Sequence, residues 1–175
     1  QQSSHQELSF SIPPPTYRRR FLVFDVESTG LLPKTRRNST NAAPITEYPY
    51  ILQLSFAIYD LSQKKVIRQY DSYIDIPDEV VISEFITELT GATKELCKTK
   101  GRPIVEVLEQ FYEAYMFCEG IVAHNMDFDE KMIMVELERN RPAIMEKAPY
   151  CFMTFNPMYE KVHGIERYCT MKRGT

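Results

Sequence analysis

A run of apolar residues ending in two carboxylates constrains this chain more than any other stretch: Phe21-Leu22-Val23-Phe24-Asp25-Val26-Glu27. The apolar positions are continuous and do not alternate, which predicts a strand buried on both faces, inside an α/β sheet. Asp25 and Glu27 stand at i and i+2, so on a strand they point to one face. They also sit at its C-terminal end, where α/β sheets collect ligands. Two carboxylates held this close repel each other, and burying them unpaired is costly. A divalent cation removes both penalties, and oxygen-only donors suit Mg2+ or Mn2+ better than zinc. An isolated D-x-E pair reads more simply as a solvated strand end. Two further features reverse that weighting. Thr29-Gly30 follows at once, and glycine lets the backbone approach a ligand closely. Much further along, Ile121-Val122-Ala123 reads as a short strand ending in His124-Asn125-Met126-Asp127-Phe128-Asp129. That is a second acidic cluster at a strand–helix junction, and Asp129, in the first helical turn, can point back to the strand end.

The rest of the chain sets these two clusters in a mixed α/β order. A long loop is expected from Ser28 to Pro49, then a strand over Tyr50 to Tyr59, a turn at Asp60 to Lys65, and a third strand over Val66 to Ile76. Strands joined by so short a turn are antiparallel neighbours. Short helices follow over Ser83 to Leu89 and Thr93 to Cys97, split at Thr90-Gly91. Pro103 opens a stronger helix, with Ile104, Val107, Leu108, Phe111, Tyr112, Tyr115 and Met116 on one face, and Gly120 ends it. Asn125 or Asp127 caps a last helix running to about Arg139, before Pro142. The expected fold is therefore α/β. Its sheet is mixed, with three antiparallel-connected strands first and then a parallel strand, flanked by helices.

At 175 residues the chain suits one domain. Residues 1–17, with Pro13-Pro14-Pro15, read as an extended polar lead-in, and 18–175 as the domain. Gln1 stands where a Met would, and a new element starts at Tyr168-Cys169-Thr170-Met171, close to Thr175, so a C-terminally incomplete domain is expected. No signal peptide is read in residues 1–10, and no apolar run approaches a membrane span. Cys97, Cys118, Cys151 and Cys169 form no C-x-x-C pair, which fits a reducing compartment, cytoplasmic or at a nuclear or viral replication site, rather than secretion. A net charge of −3 excludes a globally basic nucleic-acid binder. Nucleic-acid contact would need a local basic surface or bound cations.

Phe24-Asp25-Val26-Glu27-Ser28-Thr29-Gly30-Leu31 resembles the first motif of the DEDD, or DnaQ-like, 3′→5′ exonucleases, and Ala123-His124-Asn125-x-x-Phe128-Asp129 resembles their second. Tyr50 to Ile58 looks like their second strand and Leu89-Thr90-Gly91-Ala92-Thr93 like their L-x-G-I-T segment. The resemblance covers about Phe21 to Arg139, in order, and includes the family's best-known member, the proofreading epsilon subunit of bacterial DNA polymerase III. It implies a ribonuclease-H-like fold and a two-metal exonuclease using Mg2+ or Mn2+, with Asp25, Glu27 and Asp129 as metal-associated carboxylates. It also implies that Thr29, Gly30 and Leu31, with His124 and Asn125, hold the 3′-terminal nucleotide. Phe128 either joins them or belongs to the core. The implied partners are a single-stranded DNA 3′ end, or RNA, and a DNA polymerase, and no membrane is implied.

The chain departs from the family in one large respect. The family carries a third motif with a fourth Asp, preceded by a His or Tyr acting as general base. No Asp follows Asp129 here, and His163 is succeeded by Gly164-Ile165-Glu166-Arg167-Tyr168. The motif is expected beyond Thr175, in its histidine form. A truncated or degenerate binding homologue is the competing reading. Arg18-Arg19-Arg20 reads as a solvated edge, while Lys34, Arg36 and Arg37 read equally as solvated charge or as contacts to a passing strand. The strand-end His124 reads first as a structural histidine, and Cys118 and Met132 read as packing.

Overall fold

The structure, a computed structural model, describes residues 19–34 and 43–171. Residues 1–17, Arg18, Arg36 and Arg37 therefore lie outside the described residues. Five strands make one mixed sheet in the order β3-β2-β1-β4-β5. β1 (Arg20–Ser28), β2 (Ile51–Asp60) and β3 (Lys65–Tyr73) are antiparallel neighbours. β4 (Gly120–Ala123) lies parallel to β1, and β5 (Glu166–Cys169) parallel to β4. The expected mixed α/β sheet is present. The β2–β3 turn is held by the Asp60 carboxylate, which accepts from the Ser62 and Gln63 amides at 2.8 and 3.1 Å.

One expectation about β1 is corrected. Leu22, Phe24, Val26 and Ser28 are buried, but Val23 is 43% exposed and Asp25 is exposed. The strand is buried on one face. α3 (Ile104–Phe117) and α4 (Met126–Arg139) pack on that face, where Phe111 meets the Phe24 and Phe56 rings at 5.1 and 6.0 Å. The opposite face is open, and Val23, Asp25, Ser55, Ala57, Gln69 and Asp71 line a concavity of about 600 Å³ there. A continuous apolar run cannot report which face a helix covers, because Val23 is as apolar as Leu22.

The helices follow their cap residues. α1 (Glu84–Thr90) starts at Ser83, whose side chain accepts from Ile86, and stops at Gly91 with φ +77°. α2 (Lys94–Lys100) starts at Thr93, which accepts from Leu96, and runs past the expected Cys97. Met116 is exposed, not on the packed face of α3, and that helix ends before Gly120, which opens β4. β3 stops at Tyr73, and Ile74 makes an isolated bridge to Arg102. Three elements were not foreseen after Arg139: α5 (Arg141–Lys147), which admits Pro142 in its first turn, a 3-10 turn over Pro149–Met153, and α6 (Pro157–His163).

Gly101 passes close against the backbone. A Cβ there would lie 2.0 Å from the Cys97 carbonyl oxygen and 2.6 Å from the Asp75 nitrogen. Neither atom can swing aside, so Gly101→Ala is expected to lower stability by about 1–3 kcal/mol. A urea melt should show a lower midpoint at unchanged slope. An unchanged midpoint would mean the segment relaxes without cost. No described helix is long and apolar enough to cross a membrane.

Candidate active site

β4 pairs only with Phe21, Leu22 and Val23 of β1. Beyond Val23 the two parallel strands separate, because β4 ends at Ala123 and the chain turns through His124 and Asn125 into α4. The gap lies at their C-terminal ends, the usual place for a ligand in such a sheet. Asp129, in the first turn of α4, drops into it, and its Oδ1 accepts from the Val26 amide at 3.4 Å. The amide of Asp129 itself donates to the Asn125 carbonyl at 3.0 Å. Asn125 occupies the N-cap position but makes no side-chain cap bond.

The three carboxylates are coupled electrostatically. Asp129 is only 3% exposed. Burial, then Asp25 and to a lesser degree Glu27, push it up to about 7, against the pull of the Val26 and Asn125 amides. Asp25, although open to the concavity, is partly desolvated at its base and raised by that partial burial, opposed by the Val26 amide and by nearby His124. Glu27 is raised by burial and by Asp25. Among the described residues no three His, Cys, Asp or Glu side chains close into a group able to hold a metal ion. The donor set nonetheless fits a hard divalent cation: it is oxygen-only, all three carboxylates are raised first by burial, and Asp25 adds to the rise at Glu27 and Asp129, penalties that a cation would relieve.

The other expected site residues lie on the segments that follow β1 and β4 and in the first turn of α4. The Thr29 amide donates to the Tyr50 carbonyl at 2.9 Å, and Thr29 Oγ1 accepts from the Tyr50 amide at 3.0 Å. The Ser28 hydroxyl donates to the Gly30 carbonyl at 2.7 Å. These bonds fold the loop after β1 into a compact turn, from which Leu31 projects 87% exposed. Phe128 is half-buried and packs on the core, which favours its packing role. His124 is exposed, and its Nδ1 lies 2.9 Å from Thr170 Oγ1. Arg19 pairs with Glu166, and Arg20 pairs with Glu119 at 2.8 Å while lying over the Phe117 ring, so both are engaged where β1 begins. Lys34 is exposed. Cys118 and Met132 are buried packing residues.

The sequence reading missed three groups near the site. Thr170 is one. Asp71 is another, accepting from Gln53 at 2.9 Å and Ser55 at 2.7 Å across the open face. The third is Glu136 with Arg139 and Tyr50. Strand alternation is the signal that could have found Asp71, which shares a sheet face with Ser55, whereas nothing local in the sequence signals the Arg139 contacts.

The exonuclease family RNase_T matches residues 22–172. The DNA polymerase III PolC-type of Lactococcus lactis subsp. lactis (strain IL1403) is 32% identical over 126 residues, which cover 71% of this chain and 6% of that protein. The 3'-5' exonuclease DinG of Bacillus subtilis (strain 168) is 28% identical over 124 residues, covering 70% of this chain and 11% of that protein. Among solved structures, E. coli exonuclease I in complex with a 5cy-dA13 oligonucleotide superposes with a TM-score of 0.58 at 18% identity, over 87% of this chain and 28% of that one. Product-bound exonuclease I gives 0.55 at 19% identity, over 70% and 26%. The chain thus spans a small part of each curated relative and about a quarter of each solved structure. The structural likeness identifies the fold, which is ribonuclease-H-like.

Proposed function

We propose, since this chain belongs to the RNase_T exonuclease family, that residues 18–175 form a metal-dependent exonuclease domain acting 3′→5′ on single-stranded DNA. The observation that carries the reading is the meeting of Asp129 with Val26, which brings the second acidic cluster against the strand that bears Asp25 and Glu27. DNA as substrate is supported by the polymerase relatives and by the oligonucleotide complex of exonuclease I. A proofreading or repair role beside a DNA polymerase belongs to the same proposal. So does a cytoplasmic location, supported by the wide spacing of the four cysteines, which form no C-x-x-C pair.

In this reading Asp25, Glu27 and Asp129 hold the divalent cations, Mg2+ or Mn2+. When bound, those cations supply Lewis acidity and charge neutralisation at the scissile phosphate. The chain's own residues position the substrate. The Thr29–Gly30 turn offers backbone close to the terminal sugar, Leu31 gives an apolar surface for the last base, and His124 and Asn125 border the crevice. A binding-only reading competes with this one, and whether a fourth carboxylate joins these three separates the two.

Titrating Mn2+ by calorimetry is expected to show binding that Asp25→Asn weakens about tenfold or more, because one charge of three is lost. Equal binding by both chains would remove Asp25 from the site. Binding of a single-stranded oligonucleotide should weaken in EDTA and fall with salt at a shallow slope of about −1 to −3. Tighter binding in EDTA would mean the strand passes elsewhere.

A further inference from the structure

Glu136 and Arg139 lie near the C-terminal end of α4, with side chains 4% and 13% exposed. They form an ion pair. Each also reaches across to the segment leading into β2. Glu136 Oε1 accepts from the Ile51 amide at 3.2 Å. Arg139 Nη2 donates to the Tyr48 and Pro49 carbonyls at 2.9 and 3.1 Å, and more loosely to Ile45 at 3.4 Å. Its guanidinium also lies over the Tyr50 ring, 3.8 Å from the centroid. Asn140 Nδ2 donates to the other Glu136 oxygen at 3.2 Å. One planar cation thus gathers carbonyls at the end of a 3-10 turn (Ile45–Glu47) and stacks on the next ring, a task suited to the guanidinium fork and beyond a lysine.

The segment so held carries the partners of Thr29. Tyr50 gives its carbonyl to the Thr29 amide and its own amide to the Thr29 hydroxyl. Ile51, held by Glu136, faces Ser28 across a register shift in the β1–β2 ladder. Regular pairing therefore ends where the Thr29–Leu31 turn begins, and the ladder alone does not fix that turn.

We propose that Glu136 and Arg139 are positioning residues that set the Thr29–Leu31 turn through Tyr50 and Ile51, and so shape the seat of the 3′-terminal nucleotide without touching it. This rests on the nuclease reading of the site. The pair acts on nucleotide affinity and leaves the carboxylate crevice alone, since its hydrogen bonds and ring contact run to the Ile45–Ile51 segment and to Asn140.

The test compares wild type, Arg139→Ala and Arg139→Lys. Lysine keeps a cation beside Glu136 and cannot serve the carbonyls and the ring together, so it covers the case in which alanine prevents folding. Amide hydrogen exchange at Thr29 and Tyr50 is expected to accelerate about 10- to 100-fold beyond any change at Leu22 and Leu54 in the sheet centre. Affinity for a short single-stranded DNA in Mn2+ should fall about tenfold, with Mn2+ affinity kept within about twofold. A purely structural pair would move all four amides together, and that outcome overturns the proposal. So does accelerated exchange with unchanged DNA affinity. If wild type itself binds no DNA, the nuclease reading fails, while the exchange data still report whether the pair holds the turn.

Discussion

Joined to a segment that supplies a fourth carboxylate and a general base, this chain is expected to degrade 5′-labelled single-stranded DNA in Mg2+ to a ladder, with mononucleotides leaving the 3′ end. The 175 residues alone are expected to be slower by a factor of at least about 10²–10⁴, the usual cost of a missing general base. Without a fourth carboxylate the cations would be held more loosely as well, but both effects would fall on one catalytic unit and should not simply add. Geometry makes the addition feasible. Thr170 and Met171 donate to the Ala123 and His124 carbonyls at 3.0 and 2.9 Å, so the backbone leaving β5 runs beside the crevice. In the lengthened chain, Asp25→Ala or Glu27→Ala should abolish the ladder. Strong cleavage by the 175-residue chain would show that a residue already present completes the site. His163, whose ring lies tilted against Tyr159 at the end of α6, would then be the first to mutate. An inactive lengthened chain would favour the binding-only reading.

What was legible in the sequence was local. The spacing of Asp25 and Glu27 on a strand, and of Asp129 one turn into a helix, follows from the periods of those elements alone. Ser83, Thr93 and Gly91 likewise mark helix ends by side-chain chemistry and backbone freedom. What was not legible depended on partners distant in sequence. Val23 was expected to be buried because apolar periodicity cannot tell one covered face from two. Glu136 and Arg139 look like an ordinary i,i+3 surface pair, yet they meet Ile51 and Tyr48 only because α4 crosses the start of β2. The helices after Arg139 were missed because Pro142 reads as a stop, although a first-turn proline is also a start.

The buried Asp129 gives the apo protein a pH dependence with a definite sign. An unfolded Asp titrates near about 3.9, whereas burial among Asp25 and Glu27 holds Asp129 up at about 7. Between those values the folded chain keeps a proton that the unfolded chain has released. The stability tied to that proton is full below about pH 4 and is lost as pH rises through about 7. A shift of about three units corresponds to at most about 4 kcal/mol. In EDTA, Asp129→Asn removes the ionisation while leaving an oxygen for the Val26 amide. The variant should match wild type near pH 4 and exceed it near pH 8, by up to that amount. Mn2+ should reverse the order. A cation bound to ionised Asp129 stabilises wild type by mass action, about 2.7 kcal/mol at a hundredfold excess over its dissociation constant, and the amide forfeits most of this. Urea melts at pH 4, 6 and 8, with EDTA and with Mn2+, read both effects. Parallel curves for the two proteins in EDTA would mean that Asp129 ionises as an ordinary carboxylate and does not sit against its two acidic neighbours.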